Sequence, residues 1–217
     1  MSDTDSFVSE VSEEVRKDKL YKLMRRFGWI PITLIVLVVG GASFVEWQKA
    51  QARSAAEATG DALISALAEN TPEARATAFE SYTPDGSPEQ RAVVALLRAA
   101  AETEAGEEAK ARDTLDGVAA SADTPAIYRD LAILKSVMLP GSAPEARIEQ
   151  LAPLMVAGNP YRLLAIEQRA FAEIELGETE TAIQTLEGIV ADAGRTEALR
   201  RRAGQLIVAL GGTLSES

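Results

Sequence analysis

The chain has 217 residues, 22 basic and 33 acidic, a formal net charge of -11, and neither histidine nor cysteine. These absences exclude disulfides, thiolate metal sites, thiol nucleophiles, imidazole bases and Ser–His–Asp triads, leaving only a hard cation held by carboxylates or carbonyls as a possible metal. A pI near 4.6 argues against nucleic acid, which is bound by neutralising phosphates with Lys and Arg, while 5% aromatic content and frequent alanine favour close-packed helices over a β-sandwich.

The leader, 1–28, carries six basic and six acidic groups and sums to zero. Phe7, Val8, Val11 and Val15 follow a helical spacing among Ser and Glu. Leu20, Leu23, Met24 and Phe27 then occupy i, i+3, i+4 and i+7 among Lys19, Lys22, Arg25 and Arg26, the pattern of a basic amphipathic helix on a membrane surface.

Trp29 to Val45, WIPITLIVLVVGGASFV, is a run without a charge, at the low end of the length a spanning helix needs. Trp29 and Trp47 bracket the run, roughly 27 Å apart along a helix, which suits two interfacial aromatic anchors. Six basic residues precede the run and only Lys49 and Arg53 follow closely, so the N-terminus is expected in the cytoplasm. Ala50-Gln51-Ala52 resembles a signal-peptidase site, but the acidic leader, the long apolar run and the intervening Glu46 and Lys49 favour an uncleaved signal anchor.

From Ala50 onward there are 15 basic and 26 acidic residues, so the whole imbalance of -11 lies beyond the apolar run. An acidic domain is repelled by anionic headgroups and stays in solution beside the bilayer. Short breaks recur at Asn70, Gly106, Gly141 and Gly177, at intervals of 36, 35 and 36, and Ala111, Ala146 and Ala182 each lie five residues past their glycine. A second series of breaks falls between them, at Pro84 to Ser87, Asp123 to Pro125, Gly158 to Pro160 and Ala193-Gly194. Ser87-Pro88-Glu89-Gln90 reads as a capping box, and Thr71-Pro72 and Thr124-Pro125 share a Thr–Pro start signal. The fold class is all-α: four helical pairs of about 35 residues and a final helix near Thr196 to Leu210.

Ala99-x6-Gly106-x4-Ala111 and Ala170-x6-Gly177-x4-Ala182 resemble the tetratricopeptide repeat, with small residues at the helix crossings and glycine in the turn. The third pair departs from the pattern, with Leu134 at the small position and Pro140-Gly141 in its turn, and the first pair is weaker still. Such an α-solenoid lines a groove with the first helix of each pair. Tyr128, Leu131, Lys135 and Met138 share one face of such a helix, and Leu164, Glu167, Phe171 and Ile174 share the next, forming a candidate protein-binding groove. Most of the same apolar positions also read as ordinary inter-helix core, so exposure of Lys135 and Glu167 is the sharper test. Arg200, Arg201 and Arg202 form the only dense basic cluster of this part, read as a solvated face or a contact for an acidic partner.

Acid pairs such as Glu107/Glu108 and Glu178/Glu180 sit at turn edges and helix starts, where they complement the helix dipole rather than act as a catalytic pair. No Walker loop, G-x-S-x-G or S-x-x-K motif occurs, and neither enzyme activity, a cofactor, a small-molecule substrate nor a metal is expected. The complete layout runs from the leader Ser9-Glu10-Val11-Ser12-Glu13-Glu14-Val15-Arg16-Lys17-Asp18 through a basic stretch and one span to an acidic helical repeat. It resembles the bacterial inner-membrane family of ancillary SecYEG translocon subunits, which carry a tetratricopeptide-like periplasmic domain. The resemblance implies a cytoplasmic leader over 1–28, a transmembrane signal anchor over 29–47 and a periplasmic repeat domain over 48–217. It further implies a single-pass type II inner-membrane protein that links emerging secreted proteins to periplasmic chaperones. A structural assembly factor for another envelope complex, respiratory or cell-division, is the alternative the same features allow.

Overall fold

The computed structural model describes Arg25, residues 29–83 and residues 86–213, with the backbone alone for Pro31 and Ile32. The leader patterns at Phe7 to Val15 and Leu20 to Phe27 lie outside the described residues. Within them the chain is all-α, with nine α-helices packed consecutively in pairs: α1 Trp29–Leu67, α2 Pro72–Ser81, α3 Pro88–Glu104, α4 Glu108–Ala120, α5 Ala126–Met138, α6 Pro144–Leu151, α7 Arg162–Glu175, α8 Thr179–Ala191 and α9 Glu197–Ala209. A 3₁₀ turn, Ala152–Met155, extends α6. The chain divides into two units, Met1–Ser54 and Ala55–Ser217, with the boundary inside α1.

In the first unit, the apolar side chains from Leu34 to Val39 are exposed, as are Phe44, Val45, Trp29 and Trp47. The Phe44 and Trp47 rings lie 6.1 Å apart in a tilted arrangement. Among the described residues no helix is long and apolar enough to cross a membrane. Two members of the uncharged run, Pro31 and Ile32, have side chains outside that described set.

The second unit is a stack of helices held by four apolar clusters. Ala66 near the end of α1 joins Ala76 and Phe79 of α2 and Val94 and Ala101 of α3. The Tyr82 hydroxyl donates to Thr59 Oγ1 at 2.9 Å, tying the chain after α2 back to α1. Further along, Ala99, Ala111, Ala170 and Ala182 are all buried at helix crossings, where a larger side chain would force neighbouring backbones apart.

Helix starts follow local chemistry. Ser87 accepts from the backbone N–H of Gln90 while Gln90 Oε1 accepts from the N–H of Ser87, completing the capping box, and Thr71 caps α2 through the N–H of Ala74. Thr124 corrects the Thr–Pro expectation: α5 begins at Ala126 with Pro125 in the cap position and no side-chain cap bond, and Thr124 is buried.

Glycine ends α3, α7 and α9 in one way. Gly106, Gly177 and Gly211 have φ of 74°, 77° and 87°. At the first two, the N–H groups of Glu107 and Glu178 reach back to the carbonyls of Glu102 and Glu173 at 2.8 and 2.9 Å, the bonding of a Schellman cap. An added Cβ at Gly177 meets nothing within 4 Å, so a side chain there is opposed by backbone conformation alone. We expect Gly177→Ala to destabilise the domain by about 1 kcal/mol, read as a lower urea midpoint with unchanged slope.

The third pair departs most. Ala146, at the same distance past its glycine as the buried Ala111 and Ala182, is exposed. The register has slipped by one residue, and Leu151 takes the place that Leu115 and Leu186 hold in their pairs, all three buried. Helix α6 is also short, because Pro153 has no N–H to give and its ring clashes with the preceding turn. Leu134, standing where the neighbouring pairs carry alanine, fills the resulting space against Leu151 and Leu154.

Candidate protein-binding groove

The two helices expected to line a groove, α5 and α7, are each held by polar contacts to their neighbours. On α5, the Ser136 hydroxyl donates to Asp116 Oδ1 of α4 at 2.9 Å. Arg112 of α4 fans its guanidinium over the far end, donating to the carbonyls of Ser136 and Pro140 at 3.1 and 2.7 Å and to Ser142 Oγ at 2.5 Å. A cation over the free carbonyls of a helix C-terminus satisfies them and opposes the dipole. Nothing in the local pattern around Arg112 marks this role, since its partners lie 24 to 30 residues away.

With α5 fixed, Lys135 and Met138 project into an open groove of about 270 Å³, lined also by Ala99, Ala100 and Thr103 of α3, Leu115 of α4 and Leu139. Met138 is 61% exposed and Lys135 is exposed. The small side chains of α3 make the floor, and a flexible thioether and an ammonium form one wall. The surface is suited to an apolar segment of another polypeptide, with Met adapting its shape to the contact. Tyr128 and Leu131 do not join this wall; they pack against the buried cluster that contains Leu96, Leu115 and Ala132.

The four α7 candidates are not brought together in that groove. Leu164 is exposed, while Phe171 and Ile174 are half-buried. Glu167 overturns its expected exposure: it is 4% exposed, and its two oxygens accept from Nε and Nη2 of Arg202 at 2.8 Å each. A bidentate guanidinium supplies the donors that make burial of a carboxylate tolerable. Arg200, Arg201 and Arg202 are all exposed, and carboxylates engage two of the three guanidiniums. Arg202 belongs to Glu167, Arg200 pairs with Glu197 at 2.7 Å, and Arg201 is exposed.

Two further buried carboxylates occupy equivalent places. Glu102 and Glu173, each 1% exposed, are related by the same sequence offset as Arg98 and Arg169, one helical turn before them. The likeness extends over RAAAETEAGE at 98–107 and RAFAEIELGE at 169–178, then over ARDTLDGVAA at 111–120 and AIQTLEGIVA at 182–191. Aligning these segments flags the buried acids, because a carboxylate repeated with its arginine four residues earlier reads as a local pair. Among the described residues no group of three carboxylates could hold a metal ion.

The link between α7 and the end of α8 is pH-sensitive. Arg162 donates to Asp192 Oδ2 at 2.6 Å, and the N–H of Gly194 donates to Oδ1 at 2.8 Å. The Arg162 guanidinium first, then the Gly194 N–H, hold this carboxyl below its ordinary value of 3.8. A lowered folded-state pKa gives stability that is complete above the unfolded value and lost as pH falls through the folded one. We expect Asp192→Asn to be less stable than the parent at pH near neutrality, and the difference to close in urea titrations taken below pH 3.8.

Comparison of the chain with family models, with curated proteins and with solved structures finds no match.

Proposed function

We propose that this chain is a membrane-anchored protein-binding adaptor, an ancillary subunit of the SecYEG translocon that passes emerging secreted proteins to periplasmic chaperones. In this reading the N-terminus is cytoplasmic, residues 29–47 anchor the chain in the inner membrane, and a tetratricopeptide-like solenoid binds partners in the periplasm without catalysis or cofactor.

The observation that carries the binding function is the open groove with Met138 and Lys135 on its wall. A half-covered apolar surface on a rigid helical stack is a means of protein recognition. The anchor is supported by the uncharged run from Trp29 to Val45 and by the exposure of its described apolar side chains. A helix apolar on every side needs an apolar surrounding that this chain's own described side chains do not supply. The translocon assignment rests on the resemblance in layout alone.

A photo-crosslinking residue placed at Met138 in cells tests the reading. Adducts with translocon subunits, periplasmic chaperones or secreted clients are expected, and they should be lost when Lys135→Glu and Ala100→Arg obstruct the groove. A single stable adduct with a respiratory or cell-division complex would replace the translocon reading by the assembly-factor one. Release of the full chain from membranes by alkaline carbonate would remove the anchor.

A further inference from the structure

The final helix, α9, corresponds to α5 at the offset that relates Glu102 to Glu173 and α4 to α8: Tyr128 matches Leu199, Ala132 matches Ala203 and Ser136 matches Ile207. All three α9 residues are buried against α7 and α8 in one cluster with Ala170, Leu186 and Ile189. The inner face of α9 is therefore used as α5 uses its own.

The opposite face differs. On α5, Ile133, Leu134 and Val137 cluster with Leu151 of α6, Leu154 of the 3₁₀ turn and Ala165 of α7. Their counterparts on α9, at the same offset, are Gly204, Gln205 and Val208. These three, with Val190, Arg200 and Arg201, line an open groove of about 400 Å³. Val208 is 57% exposed where Val137 is 2% exposed. Among the described residues no helix occupies on α9 the place that α6 occupies on α5.

We infer that this groove is an empty helix seat, and that it receives an amphipathic, acidic helix from a partner protein, docked as the second helix of a fifth pair. The charge of the rim selects the occupant. Arg201 stands where α5 carries Asp130, and it makes no ion pair among the described residues, while Arg200 spends its guanidinium partly on Glu197. This cationic rim lies in a part of the chain with 15 basic and 26 acidic residues, so an acidic helix is attracted here and repelled by most of the remaining surface. Small Gly204 leaves room for an apolar side chain of the incoming helix to sit between Val190 and Val208. The inference depends on neither the membrane anchor nor the translocon assignment.

The test uses the 217-residue chain in detergent micelles and a fluorescein-labelled peptide of its residues 143–157, the segment that fills the equivalent seat on α5. It carries Leu151 and Leu154 as apolar anchors and Glu145 and Glu149 as acids. Saturable binding by fluorescence anisotropy is expected. Val208→Asp or Arg201→Glu, both at exposed positions, should each weaken it about tenfold, the effect of removing an anchor contact. Met138→Asp, in the other groove, should leave it unchanged. Equal binding of a peptide carrying Glu145→Lys and Glu149→Lys would overturn the acidic occupant, and indifference to Val208→Asp would overturn the seat. Self-association of the chain abolished by Val208→Asp would assign the seat to a second copy and overturn the partner helix.

Discussion

Arg202→Leu is expected to destabilise the repeat domain by about 2–3 kcal/mol, and adding Glu167→Leu to the same chain should restore it to within about 1 kcal/mol of the parent or beyond. The single change strands a carboxylate whose side chain is 5% exposed, with no other donor to either oxygen among the described residues. The cost falls at the low end for a broken buried pair, because half of the Arg202 side chain remains in water and the site can admit solvent. The double change copies the chain's own solution. In the preceding copy of the duplicated segment the same two places are held by Leu96 and Leu131, both within one apolar cluster. Urea denaturation of the three proteins checks the sign: a double variant as weak as the single one would show that the leucines do not fit between α7 and α9.

Much of the architecture is legible in the sequence because its signals are local. Gly106 and Gly177 adopt the positive φ that only glycine takes cheaply, and Ser87 and Thr71 satisfy backbone donors three residues away. The groove is less legible. Periodicity places Tyr128, Leu131, Lys135 and Met138 on one face, but α5 has neighbours on several sides, and the first two turn to core while the last two reach the groove. Glu167 departs from its expected place for a related reason. A carboxylate belongs in water unless it is paired, and its partner lies 35 residues on in another helix. The slip at Ala146 is set in the turn before it, where α6 starts three residues past Gly141 while α4 and α8 start two past Gly106 and Gly177, a change that an alanine count does not register.

Arg169→Ala is expected to cost about 3 kcal/mol and Arg98→Ala about 2, although the two arginines occupy equivalent places. Each donates through Nε to a buried glutamate four residues later at 2.7 Å. The difference lies in the second oxygen. Glu102 Oε2 accepts from the Thr114 hydroxyl at 2.8 Å, whereas Glu173 Oε2 is buried with no partner among the described residues, although Thr185 is the counterpart of Thr114. Removing Arg169 therefore leaves Glu173 without a donor, while removing Arg98 leaves Glu102 one charge-assisted bond. By the same reasoning Thr114→Val should cost about 1.5 kcal/mol, the range for a hydrogen bond to a charged group. Thr185→Val should cost less than about 0.5 kcal/mol, as for a side chain making no such bond. The Arg98→Ala, Thr114→Val double variant strips Glu102 of both donors and should match Arg169→Ala. Equal losses for the two threonine variants in urea titrations would mean that Thr185 serves Glu173 after all, and the asymmetry between the duplicated pairs would be lost with it.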